Sequence, residues 1–212
     1  MPQQDTIIWD WNGTLLDDAE ICLSSINSML DIRLLPTISM ETYRDVFTFA
    51  VIDYYTKIGF DFTIEKWETV AMEFIDLYMS KLPKCRLTKF AHSSLEYFNQ
   101  KGYRQAIISA MQHDSLLKSV SDLGIHNYFD HIGGIGDHYA TSKIDNAINY
   151  LNTSGANPDK ITLIGDTIHD TEVATKLNCK CILVASGHQS YERLLETDFP
   201  VIGDLSRIDF FF

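Results

Sequence analysis

The sequence has no run of about 18 apolar residues, and its first residues carry neither a basic cluster nor a long apolar stretch. A membrane span and a secretory leader are therefore not expected, and the chain reads as cytoplasmic. Positive charge is scarce: 17 Lys and Arg stand against 29 Asp and Glu, for a formal net charge of -12. Such a surface repels nucleic acid and anionic membrane, so neither is an expected partner. An anionic ligand would need local positive charge or a metal at its site. Cysteine is rare. Cys22, Cys85, Cys179 and Cys181 do not make two CxxC pairs, so a structural zinc site is not expected, and buried reduced thiols are. Internal repeats and low-complexity segments are missing as well.

What is present suits one domain, or one with a modest insertion: 212 residues, 45% of them hydrophobic. Five β-rich runs stand out, Ile7–Asp10, Arg104–Ser109, Phe129–Gly133, Ile161–Asp166 and Cys179–Val184. Helical patterns separate the later ones: Leu95 and Phe98, stopped at Gly102; Leu116, Leu117, Val120 and Leu123, stopped at Gly124; Ile144, Ala147, Ile148 and Leu151. "AIIS" and "ITLIG" are continuously apolar, as strands covered on both faces are. Alternation of this kind predicts an α/β fold with a Rossmann-like parallel sheet.

Residues 17–85 break the alternation with an all-helical pattern. One stripe holds Ile26, Met29 and Leu30; a second Phe47, Val51, Tyr54, Tyr55 and Ile58; a third Trp67, Val70, Phe74, Leu77 and Tyr78, with Thr63 as a candidate N-cap. These aromatics are expected to be core rather than ligand contacts. A core of 1–16 and 86–212 with a helical insertion at 17–85 would hang that module over the carboxyl ends of the strands, where open α/β sheets bind ligands.

The strand ends carry the chemistry. The first run ends at Asp10, the second at Ser109 and the fourth at Asp166, with Asp170 four residues on in "GDTIHD". Lys143 opens the helix before the fourth run. Taken singly, each is an ordinary turn, cap or solvated residue. Together, three carboxylates, a hydroxyl and an ammonium would meet along one sheet edge. Clustered carboxylates repel unless a cation joins them, and oxygen ligands beside phosphate favour Mg²⁺. Gly13 lets backbone N–H groups approach an anion, and a carboxylate can attack phosphorus.

Asp10-Trp11-Asn12-Gly13-Thr14, Ser109 after "AII", Lys143 and "GDTIHD" resemble the four ordered motifs of the haloacid dehalogenase-like superfamily, nearest its phosphoglycolate-phosphatase-like branch, and 17–85 is similar in placement to that superfamily's helical cap. The resemblance implies a hydrolase of small phosphorylated molecules that uses Mg²⁺. Asp10 would be nucleophile and metal ligand, Asn12 would lend its backbone carbonyl to the metal, and Asp166 would complete the metal set. Ser109 and the N–H of Ala110 would hold phosphoryl oxygens, with Lys143 neutralising their charge. Asp170 and Thr14 would support the site.

Two positions depart from the family pattern. Ile144 stands where a proline often follows the motif lysine. Asn12 stands where phosphatases of the family carry an acid/base Asp, and an amide does not titrate near neutral pH. The open alternatives are a phosphatase with another proton source, such as His169, or with a good leaving group; a C–P or C–halogen hydrolase, for which Lys57 and Lys66 are candidate cap lysines; and a non-enzymatic phosphate-binding protein. "HIGGIGDHYATSK" does not fit a dinucleotide loop and reads as a flexible lead to Lys143, with His131 and His138 in turns. The terminal "DFFF" would cover the sheet edge or a partner.

Overall fold

The computed structural model describes residues 4–136 and 143–212. His138 and most of the loop leading to Lys143 lie outside the described residues. The strands are β1 (Thr6–Trp9), β2 (Leu16–Asp17), β3 (Arg86–Leu87), β4 (Arg104–Gln112), β5 (His131–Ile135), β6 (Ile161–Gly165), β7 (Lys180–Val184) and β8 (Val201–Ile202). Six form one sheet in the order β5-β4-β1-β6-β7-β8, and each neighbouring pair is parallel. The sheet therefore grows to one side of β1 and then to the other, which opens a crevice at the carboxyl end of β1.

Helices α1 (Ala19–Ile32), α2 (Met40–Val46), α3 (Val51–Lys57) and α4 (Trp67–Lys81) precede β3. Helices α5 (Ala91–Gln100), α6 (His113–Asp122), α7 (Lys143–Ser154), α8 (Ile168–Leu177) and α9 (Tyr191–Leu194) accompany the sheet. Successive side chains of a strand point to opposite faces. Ile7 and Trp9 accordingly join the core with Leu95 and Phe98 of α5, while Ile8 packs on the other face with Ala147 of α7 and Val173 of α8. Covered on both faces, β1 and β6 are buried along their whole length.

The helical segment leaves and rejoins the sheet through an antiparallel ribbon in which Leu16 pairs with Leu87 and Asp17 with Arg86. Within the segment α1 packs along α4. Arg33, just past α1, binds Glu65 and Glu73 at 2.6 Å each and ties the two helices together. Tyr43, Tyr54 and Tyr55 are buried there.

Several local expectations change. Strand β4 runs past Ser109 to Gln112, because its pairing with β5 resumes after an irregularity between Ile108 and Gln112. Ser109 thus sits in a bulge, where its Oγ accepts the Met111 N–H at 3.0 Å. Phe47 ends α2 rather than sharing a helix with Tyr54. Thr63 does not cap α4: Lys66 does, and the Thr63 hydroxyl and N–H both donate to Asp61. In α7 Ile148 is exposed, and Tyr150 takes the buried place. His131 lies in β5 against the Tyr150 ring, 4.8 Å between centroids, rather than in a turn. Strand β8 and helix α2 carry too short an apolar pattern to stand out in the sequence. The terminal 3₁₀ turn, Leu205–Phe211, packs on α5 and also meets the edge strand β8, with the Phe212 ring 4.8 Å from Phe98. The cysteines are free thiols, three buried and Cys179 half-buried. Among the described residues no helix is long and apolar enough to cross a membrane.

Candidate active site

Asp10 follows β1, and its N–H donates to the Ile164 carbonyl of β6 at 2.8 Å, which seats its side chain between two strand exits. Lys143, the first residue of α7, donates to Asp10 Oδ1 and to Asp170 Oδ1, both at 2.6 Å. The ammonium and both carboxylates are almost wholly buried. Asp170 is at once a site residue and a helix-start acid. Its Oδ2 accepts the Thr167 N–H at 3.0 Å and the Thr167 hydroxyl at 2.8 Å. Asp166, fully buried at the end of β6, accepts from the Thr14 hydroxyl at 2.9 Å and from the His188 N–H at 2.7 Å.

One oxygen from each of Asp10, Asp166 and Asp170 lies within 4.8 Å of the others. Three buried carboxylates stand against one ammonium here. Burial pushes the Asp10 carboxyl up to about 7, against the pull of Lys143 and with the repulsion of Asp170 and Asp166. Burial likewise pushes Asp166 up to about 6. Asp170 stays low despite burial, because Lys143 and Thr167 bond its ionised form. An all-oxygen set of three carboxylates fits a hard divalent cation such as Mg²⁺.

The turn after Asp10 is tight. Gly13 has φ +75, and a Cβ on it would lie 2.2 Å from Asp166 Oδ2 and 2.6 Å from the His188 ring. Asn12 is pinned by its own amide. Its Nδ2 donates to Asp18 Oδ2 and to the Tyr78 hydroxyl, both at 2.8 Å, and its Oδ1 accepts from Ser109 Oγ at 3.3 Å.

Four functional neighbours carried no sequence signal that singled them out: Asp18, Tyr43, Tyr78 and His188. Asp18 accepts from Asn12, from the Tyr78 hydroxyl at 2.8 Å and from the Gly13 N–H at 2.9 Å, and its Oδ1 lies 3.2 Å from His188 Nε2. His188 Nδ1 meets the Tyr43 hydroxyl at 2.8 Å. Burial opposes the charge of His188, but Asp18 overcomes it and pushes the imidazole up to about 9. Burial also opposes the charge of Asp18, yet His188, Asn12 and Tyr78 hold its carboxyl below the ordinary range. "SGHQ" after β7 is one more strand exit, and the rule that pointed to Asp10 and Asp166 applies to it equally. Gly187 before His188 allows the close approach: a Cβ there would lie 2.1 Å from Asp166 Oδ2.

Between this floor and α2 to α4 lies a cavity of about 200 Å³. Asp10, Asn12, Ala110, Lys143 and His188 reach it, while Ser109, Thr14, Asp166 and Asp170 lie buried behind them. His169 does not line it; its Nδ1 pairs with Glu172 at 2.8 Å and its ring packs on Phe49. Lys57 and Lys66 are exposed and do not line it either.

The profile of the haloacid dehalogenase-like hydrolases matches residues 7–184. This chain belongs to the haloacid dehalogenase-like hydrolases. No curated protein matches it. Solved structures give the fold of this hydrolase at low identity. A predicted phosphatase from Clostridium acetobutylicum is 19% identical, with a TM-score of 0.78 over 97% of this chain and 96% of its own. A predicted phosphoglycolate phosphatase from Haemophilus somnus is 19% identical, with a TM-score of 0.77 over 100% and 99%. Protein tyrosine kinase A of Mycobacterium tuberculosis is 18% identical, with a TM-score of 0.80 over 98% and 97%.

Proposed function

We propose that this hydrolase cleaves small phosphomonoesters, in the manner of the phosphoglycolate-phosphatase-like branch, through an aspartyl phosphate on Asp10. The observation that carries this function is the Asp10 carboxylate at the cavity floor, held at 2.6 Å by the buried Lys143 ammonium with Asp166 and Asp170 beside it. Residues 1–16 and 86–212 act as the catalytic core, and 17–85 as a cap that shields the cavity.

Asp10 attacks phosphorus, the bond to the leaving oxygen breaks, and water then hydrolyses the acyl phosphate and frees the carboxylate. Lys143 keeps Asp10 aligned and offsets phosphoryl charge. The Ala110 N–H takes a phosphoryl oxygen, and Ser109 Oγ joins it by turning its hydroxyl from Asn12 Oδ1, 3.3 Å away, to the phosphoryl group. Asp10, the Asn12 backbone carbonyl and Asp166 would hold Mg²⁺, which neutralises charge on the transferring group; Thr14 and Asp170 hold these ligands in place. The free thiols agree with a cytoplasmic setting.

The test is phosphate release from a panel of phosphomonoesters with Mg²⁺, with activity falling to background in Asp10→Asn. A non-enzymatic phosphate-binding role is the second candidate, favoured by the Asn12 amide being locked to Asp18 and Tyr78. Binding of a phosphate mimic with no release from any substrate would establish it. A C–P hydrolase needs a cap lysine at the reacting carbon, and among the described residues Lys143 is the only lysine that lines the cavity.

A further inference from the structure

Two features of the cavity point to the group that leaves with the ester oxygen. The first is its wall. Above the polar floor, α2 to α4 and the α2–α3 connection present Phe47, Phe49, Tyr54, Tyr55, Trp67 and Phe74. Their rings already meet edge to face: Tyr55 lies 5.4 Å from Trp67, and Phe47 lies 5.4 Å from Tyr54. Another ring entering there would find the same contact. Among the described residues lining the cavity, Lys143 is the only Lys or Arg, and residues 137–142 contain neither. Lys143 is committed to Asp10 and Asp170. Among the described residues the other cationic side chain there, His188, has both nitrogens on Asp18 and Tyr43, so a second anionic group on the substrate, such as the carboxylate of phosphoglycolate, meets no uncommitted cation. The space, about seven water molecules at ~30 Å³ each, accommodates one ring and a phosphoryl group.

The second feature is the missing proton. Asn12 spends both amide N–H bonds on Asp18 and Tyr78. Asp18 accepts from Asn12, Tyr78 and Gly13, so its oxygens are turned to donors within the protein. Both His188 nitrogens are taken, by Asp18 and by Tyr43. Among the described residues around position 12, Asn12, Asp18 and His188 are all tied into this one network, and no carboxylic acid stands in the place of Asn12. Phosphoryl transfer through a loose transition state places negative charge on that oxygen. A phenol, with a pKa near 10, carries it without help. An aliphatic alcohol, close to water at about 16, does not.

Given the phosphatase activity proposed above, we infer that the substrates are aryl phosphates: phosphomonoesters of phenols whose ring sits between Phe47, Tyr54, Tyr55 and Trp67. Asp10 forms the new O–P bond as the P–O(aryl) bond breaks, and the bonding pair leaves on the phenolate. Water then displaces the Asp10 oxygen from phosphorus, both its hydrogens leave with inorganic phosphate, and the phenolate takes a proton from solvent.

The test measures kcat/KM of the full chain with Mg²⁺ on phenyl phosphate, benzyl phosphate, phosphoglycolate and acetyl phosphate. Phenyl phosphate should exceed benzyl phosphate, its near neighbour in size, by about 10²-fold or more, the worth of a missing general acid. It should also exceed phosphoglycolate, and its KM should lie below that of acetyl phosphate, which leaves well but has no ring. Asn12→Asp should raise benzyl phosphate turnover far more than phenyl phosphate turnover. Trp67→Leu should raise the phenyl phosphate KM by about five-fold, and that of acetyl phosphate by less. Benzyl phosphate or phosphoglycolate matching phenyl phosphate overturns the inference while leaving the phosphatase standing. So does efficient cleavage of acetyl phosphate with none of phenyl phosphate. No release from any of the four, acetyl phosphate included, overturns the phosphatase as well.

Discussion

Replacing Lys143 by Met should destabilise the metal-free protein by about 3–5 kcal/mol, because it strips the one ammonium from a cluster of buried carboxylates. The side chain is 3% exposed, and its Nζ contacts Asp10 and Asp170 at 2.6 Å. Methionine fills nearly the same space, so the loss is electrostatic rather than a cavity effect. For a chain of this size it lowers Tm by about 6–20 °C. Protonation of Asp10 bounds the cost. Its carboxyl already sits at about 7, and without Lys143 it rises further, so the penalty grows with pH. Thermal unfolding in EDTA near pH 8 should show the full effect. Adding Asp170→Asn to Lys143→Met removes one repelling charge and should recover part of the loss, a coupling of at least about 1 kcal/mol in a double-mutant cycle. Mg²⁺ should raise Tm more in Lys143→Met than in the unaltered protein, since the cluster it joins is more negative. A variant that melts within about 2 °C of the parent in EDTA, or that gains nothing from Mg²⁺, would refute the electrostatic account of this site.

Gly187→Ala should weaken Mg²⁺ binding by about 10–100-fold, read as the midpoint of a Tm titration with MgCl₂, because its Cβ would press on Asp166 at 2.1 Å; an unshifted midpoint counts against Asp166 as a ligand. His188 gives a pH signature. Its folded value near 9 lies above the ordinary 6.5, so its contribution is complete below about 6.5 and disappears as pH rises through 9. The full span is about 3 kcal/mol. Between pH 8 and 9, above Asp10 at about 7 and Asp166 at about 6, the metal-free protein should lose stability. His188→Gln should flatten that slope; a slope unchanged in the variant assigns it elsewhere.

Much of this molecule is local information. The apolar runs of β1, β4, β6 and β7 need no partner to announce strands, because a strand buried on both faces is built mostly of apolar residues. Asp10, Lys143 and Asp166 stand out because each follows or opens a regular element, with Asp170 in the first turn of another, and topology brings such positions to one edge. Boundaries were less legible. Ser109 marks a bulge rather than a strand end because pairing with β5, distant in the chain, resumes beyond it.

The second half of the site is a property of the folded chain alone. Asp18, Tyr43, Tyr78 and His188 come from the insertion's entrance, two of its helices and the exit of β7, and no spacing links them. Asn12 shows the division most sharply. Its identity announces that a proton donor is missing. That its amide is consumed by Asp18 and Tyr78, beneath a wall of aromatic rings, follows from how helices pack over a sheet edge. Charge pairing and desolvation depend on distances between segments, and those exist only once the chain has closed.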